Sequence, residues 1–142
     1  MYPSRDAVDP RRRPANRGKV RRALQQRSFA LRATLPKPRV FGWHMLHQLA
    51  QTPDVTLLKL KELTAQACNA AGVRYHSEGK KYGEPGCPGI SNYSGENFLA
   101  KMVQVGVVAP PANPNGRYRK DEPIYLNLTE EVQSALKAAG II

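Results

Sequence analysis

The chain has 142 residues and a formal net charge of +11, from 22 basic and 11 acidic side chains. That length suits one domain plus an extension, and no apolar run approaches the roughly 20 residues needed to cross a bilayer, so a membrane-spanning protein is not expected. Two cysteines, Cys68 and Cys87, are too few for a disulfide framework, and the first residues lack the apolar segment of a secretory signal.

The charge is unevenly placed. Twelve basic residues among the first forty, Arg5, Arg11, Arg12, Arg13, Arg17, Lys19, Arg21, Arg22, Arg27, Arg32, Lys37 and Arg39, face only Asp6 and Asp9. Clustered cations release condensed counterions from a phosphate backbone, so the segment points to nucleic acid as partner. Solubility alone asks for a net charge of only about 2 to 8 in a small domain. An anionic membrane, an acidic protein and a transit peptide are the competing readings; Asp6 and Asp9 speak against the last, because such peptides are poor in acid.

Residues 1–16 contain three prolines and almost nothing apolar, and cannot offset the entropy of folding. From Gly18 to Ala33 the stripe of Val20, Ala23, Leu24, Arg27 and Leu31 predicts a basic helix, which Pro36 and Pro38 then break. Residues 1–39 therefore read as a flexible basic arm with a helix at 18–33, and residues 40–142 as the body.

In the body, Trp43, Leu46, Leu49 and Ala50 predict a helix over 42–51. A second helix carries a stripe of Leu60, Leu63, Ala67, Ala70 and Ala71 and ends at Gly72, with a short strand open as an alternative start at 55–60. Residues 73–93 hold four glycines and two prolines and form a long irregular loop. Ser94 is expected to cap a third helix with Phe98, Leu99, Met102 and Val103 inward, ending at Gly106. Val107–Ala109 and Ile124–Leu128 then read as the strands of a hairpin around a basic loop, and Thr129 caps a last helix that ends at Gly140. The predicted fold class is mainly α with a small β-hairpin (α+β).

This order resembles a winged helix-turn-helix domain with a long inserted loop and a basic N-terminal arm. The likeness is carried by Ser94-Gly95-Glu96-Asn97-Phe98-Leu99-Ala100-Lys101-Met102-Val103-Gln104-Val105-Gly106-Val107-Val108, similar to that family's third helix entering its wing, and by Ile124-Tyr125-Leu126-Asn127-Leu128-Thr129-Glu130-Glu131, similar to its second wing strand and final helix. The resemblance implies that the third helix enters the major groove, with Asn97, Lys101 and Gln104 at i, i+4 and i+7 and Ser94 beside them on bases or phosphate. It also implies contacts from Arg117, Arg119 and Lys120 on the wing, with Tyr118 free to stack. Ordinary solvated surface residues are the competing reading of both groups.

The family's connection between second and third helices is short, whereas about twenty residues separate them here. Arg74, Tyr75, His76, Lys80, Lys81 and Tyr82 interleave cations with rings in that loop, a composition that suits RNA. The function expected is a non-enzymatic DNA-binding protein, a transcription regulator; the alternative is an RNA-binding structural component of a ribosome or other ribonucleoprotein assembly. The nucleic-acid-binding residues expected are Arg11, Arg12, Arg13, Arg17, Lys19, Arg21, Arg22, Lys80, Lys81, Ser94, Asn97, Lys101, Gln104, Arg117, Arg119 and Lys120.

No catalytic, cofactor or metal site is expected. His44, His47, His76, Cys68 and Cys87 lack the spacing of a zinc site, Cys87 has no base that sequence can nominate, and Gly79-Lys80-Lys81 is no phosphate-binding P-loop. Asn92-Tyr93-Ser94 and Asn127-Leu128-Thr129 match the glycosylation triplet by chance in a protein that is not secreted. The location expected is intracellular: cytoplasm or nucleoid, or nucleus or mitochondrion in a eukaryote. A homodimer or larger assembly stays open.

Overall fold

A computed structural model describes residues 30–74, 81–83, 92–113 and 116–142. Residues 30–34 are helical, and four longer helices follow: α1 (Phe41–Gln51), α2 (Leu57–Ala70), α3 (Asn92–Gln104) and α4 (Glu130–Ala138). Thr56 starts α2 by accepting from the Lys59 backbone N–H, and Thr129 starts α4 by accepting from that of Val132. Glu130 and Glu131 lie in the first turn of α4, against its positive dipole end. Ser94 falls inside α3, which begins at Asn92, so it is not the cap that the sequence suggests.

Three helices stop in the same way. After α2, α3 and α4 the chain turns through Gly72, Gly106 and Gly140 at φ of +79°, +86° and +76°, a region that side chains disfavour. The next residue then donates back into the helix: Val73 to the Cys68 carbonyl, Val107 to that of Met102 and Ile141 to that of Leu136, at 2.8, 2.8 and 2.9 Å. All six of these side chains are buried. Each stop is thus an apolar clasp that satisfies the last carbonyls and returns the chain to the core.

Among the described residues there is no β-strand, and the predicted hairpin does not form. The body is all-α with two isolated bridges, Thr56 with Pro123 and Val108 with Leu126. The Ala109 N–H donates to Tyr125 at 2.9 Å and the Asn127 N–H to Val107 at 2.8 Å, and the pairing goes no further. Its limits are local. Gly106 turns the chain just before this segment, Pro110 and Pro111 remove the next donors, and Asn127 runs almost at once into the cap at Thr129. The other connection, Ile124 N–H to the Val55 carbonyl at 2.9 Å, ties the same segment to the start of α2. The fold class expected from the order of elements, mainly α with the small β-hairpin of a winged helix-turn-helix, is therefore corrected: the described residues form an all-α body.

The core gathers Met45 and Leu46 from α1, Leu57 and Leu60 from α2, Leu99 and Met102 from α3, Val132 and Leu136 from α4, and Val107, Val108, Ile124 and Ile141 from the connections. Two expected stripes are displaced. In α1 Met45 is buried while Ala50 is exposed, and in α2 the buried line is Leu57, Leu60, Thr64 and Cys68, with Ala70 and Ala71 exposed. Thr64 can occupy the core because its hydroxyl donates to the Leu60 carbonyl at 2.6 Å. Leu35 is buried and Leu31 packs against the core, so the end of the basic segment belongs to the packed structure.

The close approach of α1 to α3 occurs at Gly42, which is buried beneath the Phe98 ring. A Cβ there would lie 2.8 Å from Cζ and 2.9 Å from Cδ1 of that ring. Phe98 is also held edge-on by Phe41, with centroids 5.7 Å apart. Through this seat α1 fixes the position of α3, which carries the candidate site.

Candidate nucleic-acid interface

Burial of Leu99 and Met102 leaves Asn97, Lys101 and Gln104 exposed on α3, the line that the helical spacing implied. No other charged residue on this helix besides Lys101 and Glu96 is available, and Glu96 is half-buried beside Asn97. Arg117, Arg119 and Lys120 are exposed in the loop that follows α3.

That loop is organised by Glu122. Its carboxylate accepts from the Ala112 N–H at 2.8 Å and from the Arg119 N–H at 3.0 Å. These two backbone bonds, helped by the Arg119 charge, hold the Glu122 carboxyl below the usual carboxylate range. In the same loop the Tyr118 hydroxyl donates to the Ala109 carbonyl, and burial, with the Glu122 charge adding to it, pushes that phenol up to about 12. Tyr118 packs partly against the core. It is a strut of the loop, and not the free stacking ring that the sequence suggested.

Between α3 and this loop lies a cleft of about 570 Å³ lined on the helix side by Glu96, Asn97, Ala100 and Val103, and on the loop side by prolines 110 and 111, Arg117 and Tyr118. Two expected residues, Asn97 and Arg117, thus meet at one cavity. Lys101, Gln104 and Lys120 do not line it, and Arg119 faces a separate hollow with Asp121 and Glu122. Glu96 is the residue that sequence reasoning missed.

No family model, curated protein or solved structure matches this chain.

Arg11, Arg12, Arg13, Arg17, Lys19, Arg21, Arg22 and Lys80 lie outside the described residues, as do most of the predicted helix at 18–33 and most of the loop at 73–93. Lys81 is described and exposed. Its neighbour Tyr82 is half-buried against the core, and its backbone is gripped by Asn69: the Asn69 amide donates to the Tyr82 carbonyl and accepts from the Tyr82 N–H, both at 2.8 Å. Tyr82 is consequently not the exposed base-stacking ring that its neighbours in sequence implied.

The histidines of α1 have structural partners. His44 is buried with Nε2 2.8 Å from the Pro38 carbonyl, and His47 sets Nδ1 2.8 Å from the Ile141 carbonyl while Nε2 faces the Gln51 amide nitrogen at 2.9 Å. A carbonyl can only accept and an amide N–H only donate, so the pair of bonds assigns the Nδ1–H tautomer to His47. Trp43 stacks on His47 at 5.1 Å and donates to the Ala139 carbonyl at 2.9 Å. Cys68 is fully buried, and desolvation pushes its thiol up to about 11, the state of an inert core residue. Among the described residues no group of three His, Cys, Asp or Glu side chains could hold a metal, and no helix is long and apolar enough to cross a membrane.

Proposed function

We propose that the protein is a non-enzymatic intracellular DNA-binding protein of regulatory type, held to duplex DNA by its basic arm and reading it with the exposed face of α3. The supporting observation is the line of Asn97, Lys101 and Gln104, exposed on a helix whose opposite face is locked into the core. Amide side chains can make paired hydrogen bonds to adenine edges in a groove about 12 Å wide, and a lysine between them suits guanine or phosphate. The arm's arginines supply affinity without sequence information, because phosphate contacts position a protein and base contacts specify the site. Lys120 lies outside the cleft and can add a backbone contact, whereas Arg119 sits beside Asp121 and Glu122, which compensate its charge.

The reading is tested by a salt-series titration of the full chain against mixed-sequence duplex DNA, structured RNA and single strands. Duplex should be preferred. A protein with 6–10 phosphate contacts loses about 10³–10⁵ in affinity between 50 and 200 mM salt, so exchanging Arg11, Arg12, Arg13 and Arg17 for glutamine should flatten that slope by about 4. Asn97→Ala should alter sequence preference more than affinity for random duplex. Preference for structured RNA would assign the protein to a ribonucleoprotein assembly, and equal salt slopes for wild type and the arm variant would remove the arm from the interface.

A further inference from the structure

Groove reading by α3 leaves one thing unused: a carboxylate, Glu96, set directly beside Asn97 and lining the same cleft as Arg117. A phosphate backbone repels an acid, and although a carboxylate can accept from cytosine N4 in a groove, Glu96 is half-buried in the cleft and off the exposed line of Asn97, Lys101 and Gln104. Among the described residues neither Glu96 nor Arg117 makes a salt bridge, and the acceptor and the cation therefore face the cleft without neutralising one another. A cavity of about 570 Å³ with a mixed polar and apolar lining has the size of a small-molecule site.

Donor and acceptor counting narrows the occupant. A carboxylate only accepts, and it presents two oxygens side by side. Guanine is the one common base whose Watson–Crick edge offers two adjacent N–H donors, N1–H and N2–H₂. Adenine and cytosine each put an amino group next to an unprotonated ring nitrogen, so one hydrogen bond would be matched by one lone-pair clash. Uracil and thymine flank a single N–H with carbonyls, which a carboxylate repels. The Asn97 amide can donate to guanine O6 or N7, both acceptors. Pro110, Pro111, Ala100 and Val103 supply apolar walls for a flat ring, and the Arg117 guanidinium is the group best matched to a phosphate.

We propose that this cleft binds a guanine nucleotide, with Glu96 on the N1–H and N2–H₂ edge, Asn97 on the O6 or N7 side and Arg117 on the phosphate. The same chemistry is presented by a free mononucleotide and by an unpaired guanosine within a nucleic-acid strand. Only the second source rests on the nucleic-acid reading above. A free nucleotide would make the cleft an effector site sharing Asn97 with the DNA-reading face, so that occupancy and sequence reading compete for one side chain.

The test uses the full-length protein. Calorimetric titration with guanosine monophosphate, adenosine monophosphate and inorganic phosphate forms one arm; oligonucleotides with a single looped-out guanosine or adenosine in an otherwise paired duplex form the other. The guanine compound should bind about tenfold or more tighter than its adenine counterpart in at least one arm, as expected of paired hydrogen bonds to a base edge. Glu96→Gln should bring that preference below about threefold while leaving affinity for fully paired duplex unchanged, and Arg117→Gln should weaken guanine and adenine compounds by the same factor. Selectivity in the first arm assigns a free nucleotide, and selectivity in the second alone assigns a strand. Equal binding of guanine and adenine compounds in both arms, binding of phosphate as tight as of the nucleotide, or a preference that survives Glu96→Gln would overturn the proposal. Fully paired duplex is titrated in parallel with wild type and Lys101→Gln. Failure of the wild type to bind duplex, or unchanged duplex binding by Lys101→Gln, would count against the DNA reading and leave the free-nucleotide arm standing.

Discussion

Gly42→Ala tests how α3 is held. The added Cβ would meet the Phe98 ring at 2.8 and 2.9 Å, tighter than real carbon contacts allow, and the ring is also held by its edge contact with Phe41. Overpacking of this kind costs about 1–3 kcal/mol. Alanine returns up to about 1 kcal/mol of helix propensity over glycine, and less here because Gly42 is the second residue of α1. The expected net loss is about 1–2 kcal/mol, which for a body of this size lowers the thermal midpoint by about 5–15 °C in a far-UV circular dichroism melt. Adding Phe98→Leu to the alanine variant should recover part of the loss, giving a coupling between the two sites in a double-mutant cycle. A midpoint at or above that of the wild type, or strictly additive effects, would show that the approach of α1 to α3 does not depend on the missing side chain.

Other perturbations address the loops beside the site. Asn69→Ala removes both bonds to the Tyr82 backbone and should cost about 1–3 kcal/mol, read as a lower urea midpoint with an unchanged slope. Because the folded-state Glu122 carboxyl titrates below its unfolded value of 4.5, its contribution is present above that value and lost as pH falls through the folded one. Amide exchange at Ala112 and Arg119 should therefore accelerate in acid relative to the other loop amides, and Glu122→Gln should abolish that pH dependence. Tyr118 shifts the other way, from 10.0 to about 12, so its contribution is complete below the unfolded value and declines as pH rises through the folded one. Tyr125 is raised as well, by its bond to Asp54, so an ultraviolet absorbance titration should show late phenol ionisation, and Tyr118→Phe should remove its latest step while leaving the Tyr125 contribution.

The helices were legible because their signals are local. Leu99 and Met102 keep helical spacing, Thr129 is followed by two acids, and Gly72, Gly106 and Gly140 each precede an apolar residue that returns to the core. The register of α2 was misread because Thr64 and Cys68 hold core positions while alanines imitate an apolar stripe on the exposed side. The β segments misled for a different reason. Alternating residues such as Ile124, Tyr125 and Leu126 satisfy a strand pattern, but strand formation needs consecutive partners, and prolines on both connections limit pairing to single bridges. At the candidate site, Asn97 and Arg117 are individually visible in the sequence, yet their meeting across a cleft is a tertiary fact, and nothing local to Glu96 signals that it joins them. Tyr82 reads as a ring free to stack because its anchor, Asn69, lies thirteen residues away and advertises nothing in sequence.

The single bridges have a consequence for how this chain behaves when crowded. A paired strand at the margin of a sheet displays a row of open donors and acceptors, and a second molecule can extend it. Here Pro110, Pro111 and Pro123 delete donors where such a row would continue, and the Tyr125 hydroxyl is turned onto Asp54 at the α2 entrance. A chain rich in Val, Ile and Tyr over these residues thus offers no template for edge-to-edge growth among the described residues. At high protein concentration, neighbouring copies would therefore find no shared β-structure to build from these residues.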